Sequence, residues 1–219
     1  MKKAVILVFP GTNRETDMHY ALSLAGFDTS YIFSNATTLP TDIDLVALAG
    51  GFSYGDYLRS GAIAARTPII RALCDYADAG GKVIGVCNGF QILCEIGLLP
   101  GALMHNQSGR FLCTTTDLMV THNKSDFTKN YQPQQIINIP IAHGEGNYFA
   151  DDVTIARLEK NNQILFRYQD NPNGSIHHIA GIVNEQGNIL GMMPHPENHV
   201  DKFQKNTDGL GIFQSLFAS

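Results

Sequence analysis

The sequence carries little charge and no concentration of positive charge. Charged residues make up 16% of the 219, the formal net charge is -5 and the pI is about 5.8. Affinity for nucleic acids rests on Lys and Arg contacts to phosphates. With no long Lys/Arg run to supply them locally, a nucleic-acid partner is excluded. No stretch approaches the ~20 apolar residues that span a bilayer, so no membrane association is expected. Met1-Lys2-Lys3 before apolar Ala4 to Phe9 mimics an export signal, but the run stops at Pro10-Gly11 without a small-residue cleavage site. It reads as a first buried strand of a soluble, cytoplasmic protein. The four cysteines, Cys74, Cys87, Cys94 and Cys113, form no CxxC pair and are expected as free thiols. The 21 glycines show neither the period of a fibrous chain nor the Pro/Ser bias of a disordered one. The GxxxxGK[ST] pattern is missing, which argues against ATP binding by this chain.

What is present is an alternation. Apolar, β-branched runs at Ala4 to Phe9, Thr29 to Phe33, Leu45 to Ala49 and Val83 to Val86 are separated by helical spacing at Glu15 to Ala25 and Pro68 to Ala79. Near-continuous apolar strands are buried on both faces, which predicts an α/β fold with a mostly parallel, doubly wound sheet and helices on either side. Sites in such sheets lie beyond the carboxyl ends of the strands. The second half is less regular. It has strand-like Phe111 to Val120, Ile136 to Ala142, Ile176 to Val183 and Ile189 to Met193, turn signals at Asn171 to Gly174 and Glu185 to Asn188, and a final helix from Asp208 to Phe217 capped by Thr207. With no repeat or linker, residues 1–219 are expected to form a single domain.

The chemistry concentrates after the strands. In Lys82-Val83-Ile84-Gly85-Val86-Cys87-Asn88-Gly89-Phe90-Gln91, a strand runs into a helix through a cysteine flanked by glycines. This is a nucleophile elbow with sulfur in place of the serine oxygen. The glycines leave room for a sharp turn that strains Cys87 and projects its side chain, while the helix start favours thiolate. Alone, Cys87 would read as one more small buried residue.

A thiolate nucleophile needs a proton donor for its leaving group. Of eight histidines, His195 stands out in Met193-Pro194-His195-Pro196-Glu197, where a strand ends between two prolines. In an extended segment residues i and i+2 share a side, so Glu197 is expected to reach the ring and complete a triad with Cys87. His195 and His199 stand four apart like paired zinc ligands, but Pro196 opposes the helix that such a pair needs, so no metal is expected. His177 and His178 would point to opposite faces of a strand and are assigned no chemistry. In Ala49-Gly50-Gly51-Phe52-Ser53-Tyr54-Gly55-Asp56, adjacent glycines after a strand let main-chain N–H groups approach a ligand. Together with the N–H of Asn88 this turn can stabilise an oxyanion.

The segments GGFSYGD, GVCNGFQ and PHPE, in this order, resemble those of the class I (triad) glutamine amidotransferases. The segments from Val8 to Asn13, Gly51 to Arg59, Ile139 to Tyr148 and Asn171 to Ser175 are similar to the purine-pathway subgroup rather than to its carbamoyl-phosphate, anthranilate or GMP relatives. The resemblance implies that Cys87 attacks the side-chain carbonyl of L-glutamine to give a glutamyl thioester and ammonia, with His195 carrying protons and Glu197 orienting it. It implies an oxyanion turn at Gly51 and Phe52, and a glutamine pocket touched by Gln91, His143 and Gly144. It further implies no cofactor in this chain and two partners: a large synthetase subunit that uses ATP and Mg to turn formylglycinamide ribonucleotide into formylglycinamidine ribonucleotide, and a small accessory subunit. Two positions depart from the pattern: Asn198 stands where Arg commonly follows the PHPE glutamate, and Arg14 where a cysteine is frequent. A redox sensor built on the elbow cysteine would have no use for the His195–Glu197 pair, and a thiol peptidase or esterase on a similar fold is the enzymatic alternative.

Overall fold

The computed structural model describes residues 1–218. Eleven strands run in chain order as β1 (Lys3–Val8), β2 (Asp28–Phe33), β3 (Leu45–Leu48), β4 (Lys82–Val86), β5 (Ala102–Met104), β6 (Leu112–Val120), β7 (Ile136–His143), β8 (Asn147–Phe149), β9 (Ile164–Tyr168), β10 (Ile179–Val183) and β11 (Ile189–Met192). The helices are α1 (Glu15–Ala25), α2 (Ile69–Asp78), α3 (Asn88–Glu95), α4 (Asp152–Lys160) and α5 (Leu210–Ala218).

Nine strands form one sheet in the order β2-β1-β3-β4-β11-β10-β9-β6-β7. From β2 to β11 every pairing is parallel. From β11 onward every pairing is antiparallel, so the doubly wound half continues into a meander. The apolar runs of β3, β10 and β11 are buried along their whole length, as strands covered on both faces must be. The crossovers β1-α1-β2 and β3-α2-β4 leave the β1/β3 boundary in opposite directions. Right-handed connections therefore carry α1 and α2 to opposite faces. That boundary is the topological switch point, and the loops after β1, β3 and β4 meet at its carboxyl edge.

The second half departs from the sequence reading in definable ways. Ile176–His178 form a short turn rather than the start of a strand, with His177 at φ 50° and His178 at φ 59°, and β10 begins at Ile179. Their rings turn to separate partners, His177 Nδ1 to Glu159 Oε1 at 3.0 Å and His178 Nδ1 to the carbonyl of Tyr168 at 3.2 Å. The last helix starts at Leu210 rather than Asp208; the residue before it, Gly209, donates its N–H to the carbonyl of His199 at 2.8 Å, and the Asp208 carboxylate accepts the backbone N–H of Asn138 at 2.8 Å. Helix α4, strand β9 and the β5–β8 ribbon add to the elements read from periodicity.

The elbow depends on close approach. A Cβ on Gly89 would lie 2.2 Å from the carbonyl oxygen of Leu48, and one on Gly85 would lie 2.5 Å from Leu93 Cδ1. Backbone cannot yield as a flexible side chain can. Gly89→Ala is therefore expected to lower stability by about 1–3 kcal/mol, read as an earlier midpoint in urea unfolding.

Candidate active site

Cys87 ends the parallel run of β4 and caps α3 with φ 52° and ψ -108°, a left-handed conformation that a residue with a side chain seldom adopts. Its N–H is held by the carbonyl of Met192 at 2.8 Å, so the strand ladder fixes the residue on one side and the helix on the other. The side chain is 5% exposed, and its Sγ lies 3.8 Å from the carbonyl of Ala142. Among the other thiols, burial pushes those of Cys94 and Cys74 up, which leaves them weak nucleophiles.

His195 follows β11 and is 2% exposed, beside a Glu197 with no exposure at all. Its Nδ1 meets Glu197 Oε1 at 2.7 Å. The pair does not form across an extended segment as the spacing suggests. Pro196–Asn198 make a tight turn with Pro at its first position, where a fixed φ is pre-organised, and the turn brings the carboxylate round to the ring. Gly209 packs so closely beneath this turn that a Cβ there would lie 2.0 Å from the carbonyl oxygen of Pro196. Burial opposes charge on His195, but Glu197 and then the Cys87 sulfur outweigh it and lift its pKa to about 10. With Nδ1 committed to Glu197, Nε2 is buried and makes no hydrogen bond among the described residues, which leaves it free to face a substrate beside the sulfur. His199 turns elsewhere, its Nδ1 meeting the carbonyl of Asn138 at 2.6 Å. Asn198 closes the turn by donating its N–H to the carbonyl of His195 at 3.2 Å.

The turn after β3 lies between the loop after β1 and the elbow. Gly51 has φ 151°, and a Cβ there would lie 2.7 Å from the carbonyl oxygen of Gly11. Gly51 and Thr12 form an isolated antiparallel bridge in which Phe52 N–H donates to Gly11 at 2.9 Å and Asn13 N–H donates to Gly50 at 3.2 Å. In such a pairing the N–H of Gly51 points away from its partner segment. The two predicted donors on this turn thus differ: Phe52 N–H is engaged, whereas Gly51 N–H faces away from the loop after β1. Asn88, at the first position of α3, fastens the turn to the elbow, its Oδ1 accepting the N–H of Ser53 at 3.2 Å. A side chain on Gly50 is forbidden by the histidine, since its Cβ would lie 2.7 Å from His195 Cε1.

The predicted pocket residues lie beside the sulfur. Gln91 is tied at both ends, Nε2 donating to the carbonyl of Glu145 at 2.7 Å and Oε1 accepting from Asn88 at 2.9 Å. It links the elbow helix to the loop after β7. His143 is buried with Nδ1 3.0 Å from Asn106 Oδ1, and burial, then the charge of His195, press its pKa down to about 4. A neutral ring so placed holds the loop rather than carrying protons. Asn106 and Asn173, both buried, secure the same loop through Gly146, whose N–H donates to Asn106 at 3.1 Å and whose carbonyl accepts from Asn173 at 2.8 Å. The sequence reading did not single out these two side chains, although NPNGS contains one of them.

Two cavities open onto Cys87 and share Gly51, Phe52, Phe111 and Ala142 as walls. The first, about 160 Å³, extends past Gln91 and Gly144 to Asp56, Ser60, His105 and Glu145. The second, about 150 Å³, extends to His195, Asn13, Arg14 and Cys113. The acidic pair in the first was not anticipated. Ser60 Oγ donates to Glu145 at 2.8 Å, and burial, then the charge of Glu145, raise the pKa of Asp56 to about 6.

A doubly wound sheet with sulfur at a strained elbow and a buried His–Glu pair against it defines the chain as an α/β protein of the nucleophile-elbow class. A family model for the CobB/CobQ-like glutamine amidotransferase domain matches residues 1–217, and the chain belongs to that family. It is 54% identical to the phosphoribosylformylglycinamidine synthase subunit PurQ of Bradyrhizobium diazoefficiens, over 98% of this chain and 96% of that protein. The subunit of the same name from Rhizobium etli is also 54% identical, over 98% and 97%. Among solved structures, a chain in the structure of PurLQS from Thermotoga maritima superposes with a TM-score of 0.91 at 44% identity, covering 99% of this chain and 98% of that one.

Glu197→Gln removes the charge that holds His195 protonated. The His195 ring resonances are expected to titrate near pH 10 in the unsubstituted chain and at least about 1 unit lower in the variant, read by nitrogen-detected NMR.

Proposed function

We propose that this chain hydrolyses L-glutamine through Cys87, His195 and Glu197 and passes the ammonia to a synthetase. The observation that carries this reading is the buried His195–Glu197 contact beside the elbow sulfur, in a chain at 54% identity with phosphoribosylformylglycinamidine synthase subunits. In the first step the sulfur attacks the side-chain carbonyl, and the oxyanion is met by the N–H groups of Gly51 and Asn88. Phe52 N–H joins them only if it leaves the carbonyl of Gly11. The carbon–nitrogen bond breaks as His195 delivers its proton to the departing nitrogen, leaving a glutamyl thioester and ammonia. Water then attacks the thioester, His195 takes its proton, and glutamate leaves as the sulfur is regenerated. Glu197 holds the ring and balances its charge throughout.

The first cavity suits the rest of an amino acid. Its acidic pair, Asp56 and Glu145, suits an α-ammonium, while Gln91, His143 and Gly144 form or support the wall beside it. The solved relative is a chain of PurLQS, which supports assembly with a large synthetase subunit and a small accessory subunit. Exposed Phe52 and Phe111 line both cavities, and exposed Tyr57 and Leu58 follow Asp56 in the chain, adding apolar surface of the kind that partners cover. In this proposal the partner binds ATP, Mg and formylglycinamide ribonucleotide and uses the ammonia to make formylglycinamidine ribonucleotide in the cytoplasm. This chain itself uses no cofactor.

Cys87→Ala is expected to abolish ammonia release from glutamine in the presence of the synthetase subunits, and an unchanged rate would refute the nucleophile assignment. Asp56 takes up a proton as pH falls through about 6. The attraction for ammonium is therefore complete above that pH and weakens below it. KM for glutamine is expected to rise below pH 6, and Glu145→Gln to raise it roughly tenfold at neutral pH with a smaller effect on kcat.

A further inference from the structure

The two cavities share five lining residues around one sulfur, and the walls they do not share differ in chemistry. The first cavity holds the carboxylates of Asp56 and Glu145. In the second, besides Cys87 and Cys113, the ionisable groups are the cations Arg14 and His195. The proton donor thus lies in the wall of the second cavity and not of the first. A leaving amine is protonated on the side of the carbonyl that faces its donor, and the hydrolytic water must approach the same imidazole to lose its proton. The unshared wall of the second cavity holds no carboxylate, whereas that of the first holds two, so ammonium is drawn to the first cavity rather than to the second.

We propose that the cavity bounded by Asn13, Arg14, Cys113 and His195 is the exchange port of the site: ammonia departs and water enters through it, while glutamine occupies the acidic cavity. Resting on the glutaminase reading, this assigns the two cavities separate traffic. Arg14 lines this port and not the acidic cavity. Its guanidinium is held by the ion pair with Asp17 at 3.0 Å. Cys113, exposed on β6 opposite Ala142, borders the port without bordering the acidic cavity.

Cys113→Trp narrows the port alone. The chain, assembled with its synthetase subunits, is assayed for ammonia release from glutamine. It is assayed in parallel for inhibition by the γ-nitrile analogue of glutamine, which adds to a thiol as a thioimidate and expels nothing. The expected result is a roughly tenfold fall in ammonia release with the nitrile inhibition constant unchanged to within about twofold. Release at the unsubstituted rate overturns the port, as does a nitrile affinity that falls in step with release, because residue 113 would then govern glutamine entry. Neither release nor nitrile inhibition in the unsubstituted assembly would instead overturn the glutaminase reading itself.

Discussion

Cys87 occupies a backbone conformation, φ 52° and ψ -108°, that costs of order 1–3 kcal/mol and persists only where its surroundings over-determine it. Those surroundings are visible on every side. Met192 holds the N–H through the β11 side of the ladder, and α3 begins at the next residue. Gly89 lets α3 settle against the carbonyl of Leu48, and Gly85 leaves space for Leu93. The strain is useful because it turns the sulfur out of the strand and into the crevice at the topological switch point. Once there, the sulfur meets the loops after β1, β3, β7 and β11, each of which contributes one part of the site.

Charge follows from that placement. A His–Glu pair with almost no exposure would ordinarily be a poor source of stability, since removing two ions from water costs several kcal/mol per ion. Here the Cys87 sulfur adds to the effect of Glu197 in favouring the charged ring, so the electrostatics of the turns after β4 and β11 are coupled. The charged ring acts at a distance as well, helping to keep His143 neutral across the crevice. Asp56 and Glu145 lie on the other side of the sulfur, where their mutual repulsion contributes to raising Asp56. The crevice is therefore uneven, with Asp56 and Glu145 on one side of the Cys87 sulfur and Arg14 and His195, each beside its own carboxylate, on the other.

Much of this was legible in the sequence because it is local. The order of strands and helices in the first half follows from apolar runs, and the elbow follows from glycines two residues either side of a cysteine. His195 and Glu197 were legible as a pair, but the way they meet was not. The spacing suggested an extended segment, whereas Pro196 starts a turn and Gly209 makes room for it. Helix α4 has a cap in Asp151, which accepts the N–H of Thr154 at 2.7 Å, yet buries only Ile155 and Leu158, too weak a stripe to stand out. Strand β9 is a short apolar run interrupted by Arg167.

The acidic pair was hidden for a different reason. Asp56 belongs to a loop in which Tyr54, Gly55, Asp56 and Leu58 all take left-handed conformations, and no periodicity announces such a path. Glu145 comes from the loop after β7, and the hydrogen bond that ties it to Ser60 spans 85 positions of sequence. Motifs show which side chains are chemically able. Which of them face the same few ångströms is decided by the twist of the sheet and by loops that glycine and buried asparagine hold in place. Asn106 and Asn173 illustrate the point: neither looks catalytic, but by satisfying the backbone of the loop around Gly146 they fix where Glu145 stands relative to the sulfur. The specificity of the site thus depends on buried polar groups remote from the reacting bond, and a substitution there would misplace the acidic wall while leaving the elbow intact.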